Sequence, residues 1–115
     1  LIEALPPATD FIGMIRSAVE AALAGGDHGL DAVAADFAMS PRTLQRRLAK
    51  EGTTFNSVVD QVRQQSAKLR LADNGLSLAE VGYLVGFEEQ SSFTRAFKRW
   101  TGVSPREYRR RLDAG

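Results

Sequence analysis

Arginine, glutamine and hydroxyl side chains occur in two polar sets, each on one side of a predicted helix. An arginine can donate two hydrogen bonds to guanine, a glutamine can pair with adenine in the same way, and serine and threonine adapt to either base. Both sets face away from the apolar residues of their segments. The first set is Arg42, Gln45 and Arg46, and the second is Gln90, Ser91, Thr94 and Arg95. These residue types predict a surface that hydrogen-bonds the edges of bases.

The net charge of +1 conceals an uneven distribution along the chain. Residues 1–40 contain one basic and six acidic side chains, whereas residues 41–115 contain fourteen basic and eight acidic ones. A basic segment of this kind indicates a polyanionic partner, although any single cluster could equally be a solvated helix face. We expect four further side chains near the polar sets to contact phosphates, namely Thr43, Lys50, Lys98 and Arg99.

The chain lacks the residues on which most catalytic and metal sites depend. It has no cysteine and one histidine, His28, in a glycine-rich loop. Thiol nucleophiles, disulfides and zinc–thiolate sites are thereby excluded, and no nucleophile–base pair remains. We therefore predict no catalytic residue, no metal site and no cofactor. The absence of cysteine fits a cytoplasmic location, and no apolar run approaches the roughly 20 residues of a membrane span. A start at Leu1 suggests a fragment of a longer protein.

The spacing of apolar residues predicts helices throughout the chain. Apolar residues recur three and four positions apart in seven segments, which is the periodicity of a helix face. Ser40-Pro41 predicts an N-cap followed by proline in the first turn. Two Ser-to-Glu pairs predict capping boxes, Ser77 with Glu80 and Ser104 with Glu107. The longest helix, predicted over 55–73, carries Phe55, Val58, Val59, Val62, Ser66 and Leu69 on one face.

The segments that contain the two polar sets are copies of one pattern. The offset is 48 residues before a turn and 49 after it, and the corresponding residues are Val33, Ala34, Leu44 and Leu48 against Val81, Gly82, Phe93 and Phe97. Each copy predicts a helix-turn-helix, whose second helix enters the major groove of DNA. Gly86 suits a left-handed turn. Ala38 stands at the equivalent place in the first copy, so we expect that turn to differ in detail.

The predicted helix between the two copies sets their separation. Some eighteen residues at about 1.5 Å each span roughly 27 Å, which places the two recognition helices about 30–35 Å apart. One turn of B-DNA is ~34 Å, so both helices could enter successive major grooves. We predict one domain over residues 1–115, with a first helix-turn-helix at about 30–52, a linker helix at about 55–73 and a second helix-turn-helix at about 78–102.

Several of these residues resemble a known family. The pattern consists of the run from Ser40 to Leu48, and then Gly86-Phe87, Ser91, Phe93, Arg95, Phe97-Lys98, Gly102, Ser104-Pro105 and Tyr108-Arg109. It resembles the DNA-binding domain of AraC/XylS-type bacterial transcription regulators over residues 11–112. The resemblance implies an all-α, homeodomain-like fold of seven helices with two helix-turn-helix subdomains, and the same base-contacting residues that the exposed faces indicate.

The resemblance also implies partners. Double-stranded DNA is the first of these, and RNA polymerase is the second, because members mostly activate transcription by touching it. An effector would bind a separate domain outside this chain. We expect this fragment to be monomeric and the intact protein to be able to dimerise. The pattern departs from the family at Ala38, at Gly82, and at Glu88-Glu89, where two acids either favour the helix N-terminus or weaken DNA binding.

Some assignments have competing interpretations. Arg47 lies at the edge of its helix, where packing of its stem and contact with phosphate are equally good predictions. The run Arg109-Arg110-Arg111 is predicted to be a solvated tail rather than a phosphate contact, and Trp100 to be a core residue. The alternative function is a basic helical module that binds an acidic protein or structured RNA, which predicts no preference among duplex DNA sequences.

Overall fold

The computed structural model describes residues 10–114, and within them the chain forms seven helices and no strand. In order, these are α1 (Asp10–Ala22), α2 (Leu30–Asp36), α3 (Pro41–Lys50), α4 (Phe55–Leu71), α5 (Leu78–Leu84), α6 (Gln90–Thr101) and α7 (Pro105–Ala114). The predicted all-helical class is confirmed, with two helix-turn-helix pairs, α2–α3 and α5–α6, joined by a long helix. That helix ends at Leu71, two residues before its predicted end.

The chain divides into two compact units, and α4 contributes to both. The first unit contains α1, α2, α3 and α4 up to Val62, and the second contains α4 from Arg63 together with α5, α6 and α7. The first core includes Ile15, Val19, Val33, Leu44 and Leu48, and the second includes Leu71, Val81, Val85, Phe93 and Phe97, all exposed by 1% or less. Each such side chain stabilises the fold by roughly 1.5–3 kcal/mol. The inward faces predicted for α3 and α6 are therefore confirmed.

Leu69 departs from the predicted apolar face of α4. The sequence places it in line with Val62 and Ser66, but its side chain is 74% exposed, and Ala67 and Leu71 are buried instead. Successive residues are rotated by about 100° around a helix, so Leu69 lies about 200° from both Ala67 and Leu71. The periodicity of the first half of α4 does not continue into the second half because the helix passes into a different unit at Arg63.

The turns of the two helix-turn-helix pairs share two hydrogen bonds. In the first, the amides of Ala38 and Met39 donate to the carbonyls of Ala35 and Ala34, both at 3.0 Å. In the second, the amides of Gly86 and Phe87 donate to the carbonyls of Tyr83 and Gly82, also at 3.0 Å. This is the Schellman pattern, which needs a left-handed residue after the helix. Gly86 has a φ of 95° and Ala38 a φ of 55°, so both turns contain a left-handed residue. The expected difference in detail is present one residue earlier, where the Phe37 amide donates to the Ala34 carbonyl but the equivalent Val85 amide donates to the Val81 carbonyl.

The ring of Phe93 leaves little room for a side chain at position 82. A Cβ atom on Gly82 would lie 3.1 Å from Cδ2 of Phe93, which is closer than an ordinary contact. The equivalent residues of the first unit are Ala34 and Leu44, a larger residue on the first helix and a smaller one on the second. The departure of Gly82 from the family pattern therefore accompanies the larger core residue of α6.

The internal repeat extends beyond the two helix-turn-helix pairs. Phe11 and Val19 of α1 and Leu23 just after it correspond, 48 residues later, to Val59, Ala67 and Leu71 of α4, and all six are buried. The helices that follow the two helix-turn-helix pairs, α4 and α7, also start alike. The side chain of Thr54 accepts a hydrogen bond from the Ser57 amide, and that of Ser104 from the Glu107 amide, both at 3.1 Å. Helix α4 thus closes the first copy and opens the second.

Candidate nucleic-acid interface

Helix α3 is held by a cap at its start and by two leucines along its inner face. The Ser40 side chain accepts a hydrogen bond from the Thr43 amide at 3.1 Å, and Pro41 occupies the first turn, as predicted. Leu44 and Leu48 are fully buried. The helix therefore presents its other side to solvent, and the predicted residues on that side are exposed, namely Arg42, Gln45, Arg46 and Lys50.

The exposed side of α3 is basic. The helix contains no acidic residue, and none of the carboxylates in the described part of the chain pairs with Arg42, Arg46 or Lys50. Thr43 is half-buried, and its hydroxyl oxygen accepts a hydrogen bond from the Ser40 hydroxyl at 3.0 Å. The resulting surface combines flexible cations with planar hydrogen-bonding groups, which suits both phosphates and base edges.

Arg47 is used inside the first unit. Its guanidinium carbon lies 4.0 Å from the centre of the Phe11 ring of α1, in a cation–π contact. Such contacts contribute about 0.5–1 kcal/mol at exposed sites. Of the two interpretations of this residue, the structure shows packing against α1.

Helix α6 carries the second set in the same arrangement. Phe93, Ala96 and Phe97 are buried, Thr94 is half-buried, and the remaining predicted residues are exposed, namely Gln90, Ser91, Arg95, Lys98 and Arg99. Arg46 and Arg95 occupy equivalent positions in the two recognition helices, 49 residues apart, and so do Lys50 and Arg99. The repeat therefore places one exposed arginine and one exposed terminal cation at matching points of each helix.

The start of α6 differs from that of α3. Its N-cap residue is Glu89, whose side chain makes no capping hydrogen bond, and Glu88 beside it is also exposed. The amide oxygen of Gln90 lies over α5, 3.2 Å from the position that a Cβ on Gly82 would occupy. Two acids therefore precede the second recognition helix, and its first residue is a glutamine that rests against the neighbouring helix.

A family model described as a helix-turn-helix domain, the AraC type, matches residues 33–111. This chain belongs to the AraC/XylS family. The matched segment begins within α2 and contains the whole of α3, α4, α5 and α6. The proteins of this family are transcription regulators.

Named relatives and solved structures agree with this assignment. The chain is 42% identical over 84 residues to the HTH-type transcriptional regulator VirS of Mycobacterium tuberculosis, covering 73% of this chain and 25% of VirS. It is similar to the transcriptional regulator CdpR of Pseudomonas aeruginosa, with 36% identity, a TM-score of 0.77, and coverage of 87% of this chain and 31% of CdpR. It is also similar to the DNA-binding domain of AdpA, solved with a target DNA, with 26% identity, a TM-score of 0.73, and coverage of 90% and 93%. The chain spans about a quarter of the length of its curated relatives.

The last helix of this AraC-type domain uses its arginines within the second unit. Arg109 donates from Nε to the Leu71 carbonyl at 2.9 Å and from Nη2 to the Asp73 carbonyl at 3.1 Å, which satisfies acceptors at the end of α4. Arg110 and Arg111 both pair with Glu107, the latter at 3.0 Å. The predicted solvated tail is therefore wrong for Arg109, because the end of α4 lies within its reach.

Glu107 explains why the second predicted capping box is incomplete. At Ser77 both halves of the box are present, since the Ser77 hydroxyl accepts from the Glu80 amide and Glu80 accepts from the Ser77 amide. At Ser104 only the first half forms, because the Glu107 carboxylate turns to its two arginines instead. Hydrogen bonds from Arg110 and then Arg111 lower the pKa of Glu107.

The remaining predictions concern single residues and absences. Trp100 packs against Phe87 and Phe97, with ring centres 6.1 and 6.3 Å away, as expected for the core. His28 lies in the connection between α1 and α2. Among residues 10–114, no three histidine, aspartate or glutamate side chains come together as a metal site requires. None of the helices in this range is long and apolar enough to cross a membrane.

Proposed function

We propose that this AraC-type domain binds double-stranded DNA at specific sequences and thereby regulates transcription. The observation that carries the proposal is the pair of exposed arginines, Arg46 and Arg95, at equivalent positions of the two recognition helices. Arginine is the commonest specific partner of guanine in the major groove. A similar structure, the DNA-binding domain of AdpA, was solved with a target DNA, and this supports the same partner here.

Within this proposal, seven side chains contact base edges and four contact phosphates. The base-contacting residues are Arg42, Gln45 and Arg46 in the first unit, and Gln90, Ser91, Thr94 and Arg95 in the second. The phosphate-contacting residues are Thr43, Lys50, Lys98 and Arg99. Phosphate contacts supply affinity that falls with salt, and base contacts supply the preference among sequences. We further propose that the two helices enter successive major grooves.

The whole protein that contains this domain would act in the cytoplasm, where bacterial DNA is accessible. Its other partners would be RNA polymerase and an effector that binds outside this chain. We propose that the 115-residue chain alone is a monomer, because one chain already supplies two recognition helices.

The test is selection of binding sites from random duplex DNA at moderate salt, followed by binding measurements on the selected site. Arg46→Ala should weaken binding by about 1–3 kcal/mol and relax the preference at one base pair. Lys50→Ala is the matched control from the same helix. Loss of its phosphate contact should weaken binding to all sequences alike and reduce the salt slope by about 0.9. A chain that enriches no duplex sequence, yet binds structured RNA or an acidic protein, would contradict the proposal.

A further inference from the structure

Arg63 joins α4 to the turn of the second helix-turn-helix. It is the first residue of α4 that belongs to the second unit, and it is half-buried. Its Nη2 atom donates a hydrogen bond to the Gly86 carbonyl at 3.2 Å. Its guanidinium carbon also lies 4.5 Å from the centre of the Phe87 ring, in a cation–π contact. One side chain therefore contacts both the backbone and the aromatic ring of the turn.

The two contacted residues connect the turn to the packed face of α6. Gly86 is the left-handed residue of the turn, and Phe87 follows it directly. The Phe87 ring packs on Phe93 and Trp100 of α6, with ring centres 5.6 and 6.1 Å away. Displacement of Gly86 and Phe87 would therefore be transmitted to α6 through packed rings, because close-packed cores have little free volume to absorb it.

The repeat shows that an arginine is not required here by the fold. The equivalent residue of the first unit, 48 positions earlier, is Ile15, which is fully buried. The second copy also has one more residue between its turn and its recognition helix, since the offset changes from 48 to 49. A longer connection has more conformations available to it, and ordering it costs more conformational entropy. Arg63 supplies a restraint at the unit that has the longer connection.

We propose that Arg63 is a positioning residue for the second recognition helix. It holds the start of α6 in the orientation from which Ser91, Thr94 and Arg95 contact bases. The inference rests on the proposed function, since it concerns the same DNA surface. It assigns sequence preference at the second unit's half-site to a residue that touches no DNA.

The experiment measures binding of the full chain to its selected duplex and to single-base variants of each half-site. Arg63→Met keeps the aliphatic stem but removes the hydrogen bond and the cation. It should lower the preference for the second unit's bases by roughly tenfold, the value of one bidentate base contact, and leave the preference at the first half-site unchanged. Arg63→Lys keeps the charge without the planar group and should recover part of the preference.

Arg109→Met is the matched control, because Arg109 is also an arginine that donates to carbonyls of the second unit, but at the end of α4. Its loss should lower thermal stability without changing the ratio of affinities between bases. If Arg63→Met does not fold, Phe87→Leu removes the ring under the guanidinium and should weaken the same preference.

The outcomes separate the two proposals. A wild-type chain that prefers no duplex sequence contradicts the proposed function. A wild-type chain with a clear preference, which Arg63→Met and Phe87→Leu leave unaltered, contradicts the positioning role alone. Equal loss of preference in Arg63→Met and Arg109→Met would also contradict it, since the effect would then follow general destabilisation.

Discussion

Replacement of Ala38 by glycine should stabilise the protein. Ala38 has a φ of 55° in the first helix-turn-helix turn, where its amide and that of Met39 donate the same two hydrogen bonds as the amides of Gly86 and Phe87 in the second. An L-residue in the left-handed region places its Cβ close to the following carbonyl oxygen, which costs about 1–2 kcal/mol. Glycine has no Cβ and adopts this conformation without that cost.

The expected gain is smaller than the strain, because glycine is more flexible in the unfolded chain. That flexibility costs roughly 0.5–1 kcal/mol relative to alanine, which leaves a net stabilisation of about 0.5–1 kcal/mol. A change of this size raises the melting temperature by about 2–6 °C in a domain near 100 residues. Ala38 is exposed, so the substitution removes little buried apolar surface.

Urea and thermal unfolding, followed by helical circular dichroism, measure this difference. Ala35→Gly is the matched control, since it makes the same chemical change three residues earlier, inside α2, where glycine should destabilise by about 1 kcal/mol. Gly86→Ala should destabilise, because it introduces the strain that Ala38 already carries. Equal destabilisation by Ala38→Gly and Ala35→Gly would refute the strain assigned to Ala38.

Three further predictions concern the second unit. Gly82→Ala should destabilise less in a Phe93→Leu background than in the wild type, with a coupling of about 0.5–3 kcal/mol in a double-mutant cycle. Additive effects of the two substitutions would refute the steric contact between residue 82 and the Phe93 ring. Ser77→Ala should cost about 1 kcal/mol in urea unfolding through loss of the capping box, and an unchanged midpoint would contradict that role. The pKa of Glu107, followed by NMR, should lie below that of an unfolded glutamate. The ion pairs of Glu107 therefore stabilise the folded state at neutral pH, and this stabilisation is lost as the pH falls through the lowered pKa. Glu107→Gln should remove this acid dependence, and a Glu107 pKa at or above the unfolded value would contradict the pairing.

The helices and their caps could be predicted from the sequence because their causes are local. Apolar spacing determines which face of α3 or α6 is buried, and a serine side chain caps a helix only a few residues away. The caps at Ser40 and Ser77 and the buried Phe93 follow from such short-range patterns, and the structure confirms them.

Features that depend on distant neighbours, or on competition between nearby partners, were not predictable in this way. Leu69 is exposed because α4 changes units, which no helical period reveals. Glu107 faces its arginines instead of completing a cap, a choice between two partners at similar sequence distance. Arg47 and Arg109 have contacts 36 to 38 residues away in sequence, so their basic clusters alone could not distinguish packing from DNA contact.

The central claim is that each unit contributes one recognition helix that distinguishes bases. Site selection from random duplex DNA with the wild type, Arg46→Ala and Arg95→Ala tests it most directly, because the two arginines are equivalent in the repeat. Each variant should lose preference at a different base pair and keep the rest of the wild-type site. A wild-type chain without sequence preference, or two variants with the wild-type site intact, would contradict it.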